Sequence, residues 1–541
     1  MRRSALPLAC GLLAAGLVTV PSPTPVGATL PASCSVPTST GHQPSFTYLG
    51  RYTVGGLPSG ETAAEIVAQE GARLYVMNVA SLDIVNIGDP TNPVRIATIT
   101  LPNDPTSVAV KNGLVAVAVP AAVDTDPGQV LFFKGTRQVG AVQVGSLPDM
   151  VTFTPDGSLL LVANEGQPNS YGQPDSVDPE GSVSIIATAP FRGADRRRHH
   201  HAEPRVTTVG FADFNAGGRR SGELPADVRI SGPGASVAQD LEPEYITVSD
   251  DGRWAWVSLQ ENNAIAKIDV RRGRVERIIA LGYSDHSLPG FGIDASDKDN
   301  AINIANWPVK GMYMPDGVAN YRVGGETFVL TANEGDAREY DGMPGGADVQ
   351  RAKDVADLSL FPEAASNAAL ARLNVTTVAP ATVGPDGKLT SLYSLGSRSF
   401  SIRTANGDLV WDSGDDFECL TADLYPATFN ASNSNDTFDN RSDDKGPEPE
   451  SVVVGKVGRR TYAFIALERI GGVMVYDITD PHAPTFVQHL MTRTFGGAEV
   501  GPDSGPEGLV FVPAAKSPTH QAMVIYGNEV TGTAVLWGIG A

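Results

Sequence analysis

The chain is short of positive charge. Its 40 lysine and arginine residues stand against 61 aspartate and glutamate residues, for a formal net charge of −21. A surface of this sign repels nucleic acid and anionic lipid headgroups and attracts cations. We therefore expect no nucleic-acid partner, and a small-molecule or surface ligand whose identity the sequence leaves open. The common enzyme motifs G-x-S-x-G, P-loop and HExxH are also missing.

Long hydrophobic runs are missing outside the first residues, "MRRSALPLACGLLAAGLVTVPSPTPVGA". A basic start, an apolar stretch and small residues at the end are typical of a secretory signal peptide, which we predict over residues 1–28. A linker is predicted over 29–45. The apolar run is too short for a membrane span, and no C-terminal apolar span or sorting tail follows. We expect a secreted, extracellular, monomeric protein.

Only three cysteines are present, and Cys10 lies in the predicted leader. Outside the cell, Cys34 and Cys419 could form a disulfide. The alternative is two unrelated thiols, and the sequence leaves both open.

What the sequence has in quantity is a repeat. Each repeat begins with a short apolar run that carries an acidic residue, which we call the opener. A second apolar run follows, usually with a third and a fourth, and "PDG", "DDG" and "GG" turns separate them. This pattern predicts four-stranded antiparallel units. The openers are Glu65, Asp104, Asp149, Glu244, Asp316, Glu450 and Glu507. Seven openers predict an all-β fold, a seven-bladed β-propeller.

The last unit supplies only three strands. The run "FTYLGRYTV" at residues 46–54 can supply the fourth and close the ring, so that no edge strand is left open. This predicts a single propeller domain over 46–541. Uneven opener spacing predicts long loop insertions, at roughly 165–182, 195–240, 282–312 and 335–440, which would cap one face of the ring.

Carboxylates recur at the second strand as well as at the opener. The second strand of five units ends in glutamate, at Glu165, Glu261, Glu334, Glu468 and Glu529. Since the first strand of a propeller blade lines the channel and the second lies beside it, these groups are expected to converge near one channel mouth. Such like charges need protonation, a basic side chain or a cation.

Carboxylate oxygens suit a hard divalent cation, most readily Ca²⁺. The alternative is that each glutamate accepts hydrogen bonds from backbone N–H groups of the next blade and thereby stabilises the ring. The predicted ligands around the channel are Glu165, Glu244, Glu261, Asp316, Glu334, Glu450, Glu468, Glu507 and Glu529. Four further candidates are Asp297, Asp299, Asp443 and Asp444, in "DASDKDN" and "NRSDDKGPEPE". The alternative for these two segments is a solvated polar loop or a structural calcium loop.

Several stretches resemble the choice-of-anchor I family of secreted bacterial proteins. They include "DASDKDNAINIANWPVKGMYMPDG", "LTANEGDAREYDG", "LGSRSFSI" and "YAFIALERIGGVMVYDITDP". The resemblance implies a propeller-like extracellular domain that is attached to varied anchors, although no anchor is recognised in this sequence. Some members carry alkaline phosphatase labels, so the resemblance also implies phosphatase activity as an alternative.

Two functions therefore remain open. The first is an extracellular binding or cell-surface-associated propeller that is stabilised by cations. The second is a metal-dependent alkaline phosphatase or phytase-like phosphoesterase at the channel mouth, which needs a cation, an activated nucleophile and an arginine clamp. Its candidate catalytic residues are Asp336, Arg338, Arg398 and His286, although a single histidine beside Asp285 is also common as a hydrogen-bonded loop residue.

Overall fold

The computed structural model describes residues 34–41, 43–58, 60–192, 204–497 and 500–540. The predicted signal peptide at 1–28 and the first part of the predicted linker lie outside the described residues. Strand β1 (Ser45–Thr53) comes first in the described chain, and most of the following strands belong to antiparallel four-stranded sheets.

Four of these sheets follow one another directly along the chain. Sheet 1 contains β2 (Val67–Glu70), β3 (Arg73–Asn78), β4 (Ser81–Asn86) and β5 (Val94–Thr100). Sheet 2 contains β6 (Ser107–Lys111), β7 (Leu114–Val119), β8 (Pro127–Lys134) and β9 (Arg137–Ser146). Sheet 3 contains β10 (Pro148–Phe153), β11 (Leu159–Asn164), β12 (Ser182–Ala187) and β13 (Val206–Gly210). Sheet 4 contains β14 (Pro243–Val248), β15 (Trp254–Leu259), β16 (Ala264–Asp269) and β17 (Arg274–Ala280).

The remaining strands form three more four-stranded sheets and two small ones. The small sheets contain β18 (Tyr283–Asp285), β19 (Lys310–Met312) and β24 (Tyr393–Ser394), and β22 (Val349–Arg351) with β23 (Asn374–Thr376). Sheet 5 contains β20 (Val318–Val323), β21 (Glu326–Asn333), β25 (Ser399–Thr404) and β26 (Leu409–Asp412). Sheet 6 contains β27 (Pro449–Val457), β28 (Arg460–Leu467), β29 (Val473–Asp477) and β30 (Thr485–Leu490). Sheet 7 contains β31 (Pro506–Val512), β32 (Ala522–Asn528), β33 (Thr533–Gly540) and β1.

Helices are short and lie in the connections. The α-helices are α1 (Ala189–Arg192), α2 (Val237–Asp240), α3 (Ala352–Val355) and α4 (Asp416–Leu424). The 3-10 helices are Ala212–Phe214, Ser221–Glu223, Pro344–Gly346, Pro362–Ala365 and Leu370–Arg372. No helix in these described ranges has the length and apolar character that crossing a bilayer requires.

The burial of each strand follows from its place in its sheet. Second strands such as β7, "LVAVAV", are buried at every residue, because neighbouring sheets cover both of their faces. Outer strands such as β5, "VRIATIT", expose most of their residues. The sequence predictions of an all-β fold and of antiparallel four-stranded units are thereby confirmed.

Apolar clusters fill the interfaces between consecutive sheets all the way round. Examples are Tyr75, Val108 and Val117 between sheets 1 and 2, and Tyr52 and Val85 between sheets 7 and 1. The first strands also contact one another in sequence, from β2 through β6, β10, β14, β20, β27 and β31 and back to β2. The sheets are therefore arranged in a closed circular order.

Small residues after the acidic openers allow the first strands to approach closely. The backbone N–H of Gly317 donates to the carbonyl of Glu450 at 3.0 Å, from sheet 5 to sheet 6. A Cβ on Gly317 would lie 2.6 Å from Cα of Ser451. Glycine is therefore required here by the contact with the neighbouring strand.

Five long connections leave the sheets at the same end. In an antiparallel sheet, the connection from the second to the third strand and the connection from the fourth strand to the next sheet lie on one face. The long segments 165–181 and 334–398 are of the first kind, and 211–242, 281–317 and 413–448 are of the second kind. We call these five segments together the cap.

Two of the predicted insertions include strands that belong to the four-stranded sheets. The segment 195–240 contains β13, the outer strand of sheet 3, and residues 193–203 lie outside the described chain. The segment 335–440 contains β25 and β26, which complete sheet 5. The "GSRSFSI" strand is short and follows a long irregular segment, so that its pairing with β21 was not visible in the sequence.

The cap has an apolar core of its own, which includes Ile293, Val309, Phe361, Leu370 and Leu389. A disulfide joins Cys34 to Cys419 in α4, over a sequence separation of 385 residues and with 5.5 Å between the Cα atoms. Of the two alternatives for these cysteines, the disulfide is confirmed.

We predict that Gly317→Ala destabilises the protein by about 1–3 kcal/mol, because the added methyl group overlaps the backbone of Ser451. The matched control is Gly210→Ala at the end of β13, where an added Cβ meets nothing within 4 Å. Denaturant unfolding of both variants measures the difference. Equal free energies of unfolding for the two variants would contradict the close packing of the first strands.

Candidate metal centre

Three predicted ligands from sheets 3 and 4 meet at one place. Glu165 follows β11, Glu244 lies in β14 and Glu261 follows β15. One carboxylate oxygen from each lies within 4.8 Å of the others, and the three side chains are 5%, 3% and 3% exposed. We call these residues the Glu165 cluster.

The Glu165 cluster has no basic partner among the described ion pairs. Glu165 accepts a hydrogen bond from the side-chain amide of Gln167. Oε2 of Glu244 and Oε2 of Glu261 are buried without a hydrogen-bond partner. Buried carboxylate oxygens in this state are costly unless a proton or a cation occupies the site.

Burial and mutual repulsion raise the pKa of all three groups. Burial raises the pKa of Glu261 to about 7, and the nearby Arg338 opposes part of this shift. The pKa of Glu165 lies well above its ordinary value because of burial, followed by repulsion from Asp149 and Glu261. The pKa of Glu244 is also raised, first by burial and then by repulsion from Glu261. Burial and repulsion therefore disfavour the charged form of all three carboxyl groups.

The cap covers the Glu165 cluster. Arg338 donates to Asp240 Oδ1 and to the Asp240 carbonyl, both at 2.8 Å, and its Nη2 lies 3.1 Å from Glu242 Oε1. Tyr340 packs edge-to-face on Tyr171, with 5.8 Å between ring centroids. Burial and the charges of Glu242, Glu165 and Glu261 raise the pKa of Tyr340. Cap residues 335–342 therefore lie over the cluster.

Other predicted ligands, together with Glu448, form two further groups near the channel. Oxygens of Asp316, Glu334 and Glu450 lie within 4.8 Å of one another, and so do oxygens of Glu334, Glu448 and Glu468. Burial raises the pKa of Glu334 and of Asp316 to about 7 each. These groups differ from the Glu165 cluster because basic side chains reach them.

Lys445 is the central basic residue of these groups. Its ammonium nitrogen lies 2.6 Å from Glu334 Oε1 and 2.9 Å from Glu448 Oε2. Arg469 pairs with Glu448 through Nε and with Glu468 through Nη1, both at 2.9 Å. Although burial works against the ionised form, Arg441, Arg469 and Lys445 hold the pKa of Glu448 well below its ordinary value. Much of the negative charge here is neutralised within the protein.

Glu507 and Glu529 line an open cavity of ≈ 780 Å³, together with Glu468, Arg469 and residues of the β1–β2 connection. Below it, Tyr245 and Met150 line a narrow space of ≈ 30 Å³ in the channel, which is enough for about one water molecule. The cavity and the narrow space share Glu65, Thr106 and Glu507 in their linings.

The aspartates of the two polar loops lie in the cap. Arg372 bridges Asp297 and Asp443, at 2.9 Å from each. Asp444 lies 2.5 Å from Arg441. Asp299 accepts from the backbone N–H of Ala301 at 3.0 Å. Arg372 therefore joins the two loops to each other, whereas the other two contacts lie within one loop.

The four candidate catalytic residues do not form one constellation of hydrogen bonds. Arg338 is paired with Asp240 and Glu242, and Asp336 lies 3.7 Å from Lys445. Arg398 pairs with buried Glu418 and donates to the carbonyls of Asp294, Ser442 and Asp444. Nδ1 of His286 lies 2.8 Å from the carbonyl oxygen of Phe291.

Sequence reasoning missed two buried glutamates, Glu242 and Glu448, which are 0% exposed. Each precedes an opener by two residues, in "EPEYITV" and "EPESVVV". The Glu-Pro-Glu repeat was therefore the signal that could have found them. Both receive arginine or lysine partners from the cap or its borders, which the sequence could not pair.

The sequence profile of the choice-of-anchor I domain matches residues 65–481, most of the chain. The chain belongs to the choice-of-anchor I family, as the resemblance implied.

Two curated relatives match parts of the chain. Gigasin-3a of Magallana gigas is 32% identical over 169 residues, which covers 28% of this chain and 60% of that protein. The mesenchyme-specific cell surface glycoprotein of Strongylocentrotus purpuratus is 27% identical over 351 residues, which covers 57% of this chain and 44% of that protein. The chain thus spans about half the length of these relatives.

Solved propeller structures are similar at low level. The WD40 domain of Toxoplasma gondii coronin gives a TM-score of 0.44 at 8% identity, covering 93% of this chain and 88% of that chain. The β-propeller domain of Myceliophteria thermophila Cps50 (Swd1) gives 0.41 at 8% identity, covering 90% and 99%. At these scores the likeness adds nothing to the argument from the sheets themselves.

We predict that the cation-free protein loses stability as the pH rises from 4.5 to 7. The pKa of Glu261 is about 7 in the folded state against an ordinary 4.5, so the folded protein binds more protons than the unfolded chain in this window. The expected loss is on the order of 1–3 kcal/mol per carboxyl group. Thermal unfolding in chelator across this pH range measures it.

Glu261→Gln should flatten this pH dependence, because the amide carries no charge. Glu326→Gln, at an exposed position in β21, serves as the control and should retain the slope. If Glu261→Gln unfolds with the same pH slope as the wild type, the cluster does not titrate as described.

Proposed function

We propose that this protein is an extracellular binding protein built on a seven-bladed β-propeller, in which Ca²⁺ held by Glu165, Glu244 and Glu261 stabilises the ring and its cap. The protein is proposed to act as a monomer, at or near a cell surface.

The blade count is supported by the sheets. Seven four-stranded sheets, counted over the described residues, follow the order of the seven acidic openers. The pairing of β1 with β33, from Ser45 opposite Gly540 to Thr53 opposite Thr533, completes the last of them. Antiparallel four-stranded units in circular order are the architecture of a propeller.

The observation that carries the cation proposal is the Glu165 cluster. Three nearly buried carboxylates approach within 4.8 Å, and two of their oxygens have no hydrogen-bond partner. Arg338 is already paired with Asp240 and Glu242. Ca²⁺ accepts six to eight oxygens in flexible geometry, so that carboxylates from three separate segments suit it, and water can complete the coordination.

The extracellular location is supported by three observations. A disulfide joins Cys34 and Cys419, and such bonds persist in oxidising compartments. The first residues have the pattern of a secretory signal peptide. A relative that matches over 351 residues is named a cell surface glycoprotein.

The phosphoesterase alternative receives less support. A phosphate clamp needs an arginine whose N–H groups face the ligand. Arg338 and Arg398 are 1% and 2% exposed, and each is held by a carboxylate and by backbone carbonyls of the protein. We therefore do not propose that these two arginines bind phosphate.

We predict that Ca²⁺ raises the melting temperature and that a chelator lowers it. At a hundredfold excess of Ca²⁺ over its dissociation constant, the stabilisation is about 2.7 kcal/mol. The double variant Glu165→Gln/Glu244→Gln should lose this response, since it removes two ligands. Differential scanning calorimetry at neutral pH, with and without Ca²⁺, gives the measurement.

Glu326→Gln is again the control, because it removes a carboxylate from an exposed position and should keep the full response. Identical melting curves for the wild-type protein in Ca²⁺ and in chelator would reject the proposed site.

A further inference from the structure

The open cavity beside the cap has the size of an organic-ligand site. Its volume of ≈ 780 Å³ lies in the range of small-molecule pockets, about 300–1,000 Å³. Its walls come from the β1–β2, β5–β6 and β28–β29 connections, from Glu450 of sheet 6, and from the cap residues Glu334, 432–434 and Arg441.

The lining of this cavity is strongly acidic. Among its described lining residues, eight carboxylate side chains stand against two arginines, Arg441 and Arg469. Both arginines are already paired, with Asp444 and Glu448 in one case and with Glu448 and Glu468 in the other. Glu468 and Glu334 are compensated by Arg469 and Lys445. The carboxylates of the lining still outnumber these basic groups, so the cavity favours a ligand with positive charge.

Glu450 gives an independent indication of a ligand. Its side chain is 4% exposed, it belongs to the cavity lining, and its Oε2 has no hydrogen-bond partner. A buried carboxylate oxygen of this kind is costly unless a proton, a donor or a cation reaches it, and a ligand in the cavity can supply such a group.

A single inorganic ion would contact only some of the carboxylates that line the cavity. Glu450 lies in a group of three carboxylates within 4.8 Å, but Glu507 and Glu61 belong to none of the groups of that kind found among the described residues. The charges are thus spread across the cavity, and a ligand with several separated positive groups matches them better.

An apolar strip runs through the same cavity. Ala63, Met77, Val79 and Pro105 belong to the lining, together with the acidic residues. Methylene groups can pack on such a strip, whereas a hydrated metal ion cannot use it. The described lining contains no aromatic side chain, so it offers neither a stacking surface for sugars nor a cage for quaternary ammonium groups.

We propose that the open cavity binds a linear aliphatic oligoamine, with primary ammonium groups on the carboxylates around Glu450 and Glu507 and methylene groups on the Met77 strip. The inference rests on the proposed binding function, for which it names a ligand class, but it does not depend on the proposed Ca²⁺ site. Primary ammonium groups carry three donors each, which suits carboxylates on several sides.

The experiment is titration calorimetry of the Ca²⁺-saturated full-length protein with spermidine at physiological ionic strength. Saturable binding of one spermidine per chain is expected, with much weaker binding of butylamine, which has only one ammonium group. Glu450→Gln should weaken spermidine binding about tenfold or more, as the loss of one buried charge contact does. Glu507→Gln, at a half-buried position, is the second variant in case Glu450→Gln fails to fold.

Two controls separate this site from other effects. Glu326→Gln makes the same change of net charge on the β20–β21 hairpin, at the opposite end of sheet 5, and should leave spermidine affinity unchanged. Glu244→Gln should weaken the response to Ca²⁺ but not spermidine binding, so that the two proposals fail separately.

The proposal is overturned if the wild-type protein gives no saturable spermidine binding. It is also overturned if the Glu450, Glu507 and Glu326 variants bind equally well, since binding would then be a general effect of net charge. Full displacement of spermidine by a small excess of Ca²⁺ or Mg²⁺ would assign the cavity to an inorganic cation instead.

Discussion

Closure of the ring between sheets 7 and 1 is the constraint on which the remaining structure depends. The chain begins sheet 7 with β1 and finishes it with β31–β33, so that residues from both ends of the described chain share one set of backbone hydrogen bonds. The adjoining interface is filled by apolar residues such as Tyr52, Val85 and Leu536. Because each sheet contacts only its two neighbours, any gap would leave two apolar faces in water. Closure therefore fixes the radius at which the first strands approach one another, and with it the separation of the acidic groups that they carry.

That separation creates the electrostatic character of the channel. Carboxylates that are far apart in sequence are held within a few ångströms, at places where water is scarce. The surroundings of these closely spaced carboxylates differ between two groups. Around Glu448 it supplies Lys445, Arg441 and Arg469, and the charges compensate one another internally. At the Glu165 cluster, Arg338 is turned to Asp240 and Glu242, and the cluster itself receives no basic partner among the described residues. This contrast is why the cation is proposed for the second group and not for the first.

Much of this arrangement could be predicted from the sequence, because it follows from a repeat. The openers and the strand-end glutamates identified seven of the eight residues that form the three carboxylate groups, and the "FTYLGRYTV" segment identified the closing strand. The missed member, Glu448, stands outside the periodic positions, as does the related Glu242. The partners of these carboxylates were not predictable, because Lys445 and Arg338 lie in long irregular segments with no period. The cap's extent was misjudged at β25 and β26 for the same reason.

The N-terminal segment has a role beyond the cysteine that it carries. Phe486 in β30, the outer strand of sheet 6, exchanges backbone hydrogen bonds with Pro37 and Ser39, at 2.8 and 2.9 Å. The disulfide at Cys34 tethers this segment just before the contact. An outer strand with free N–H and C=O groups is a template for pairing with another molecule. Here Pro37 and Ser39 occupy part of that template, and the disulfide at Cys34 anchors the segment that covers this edge.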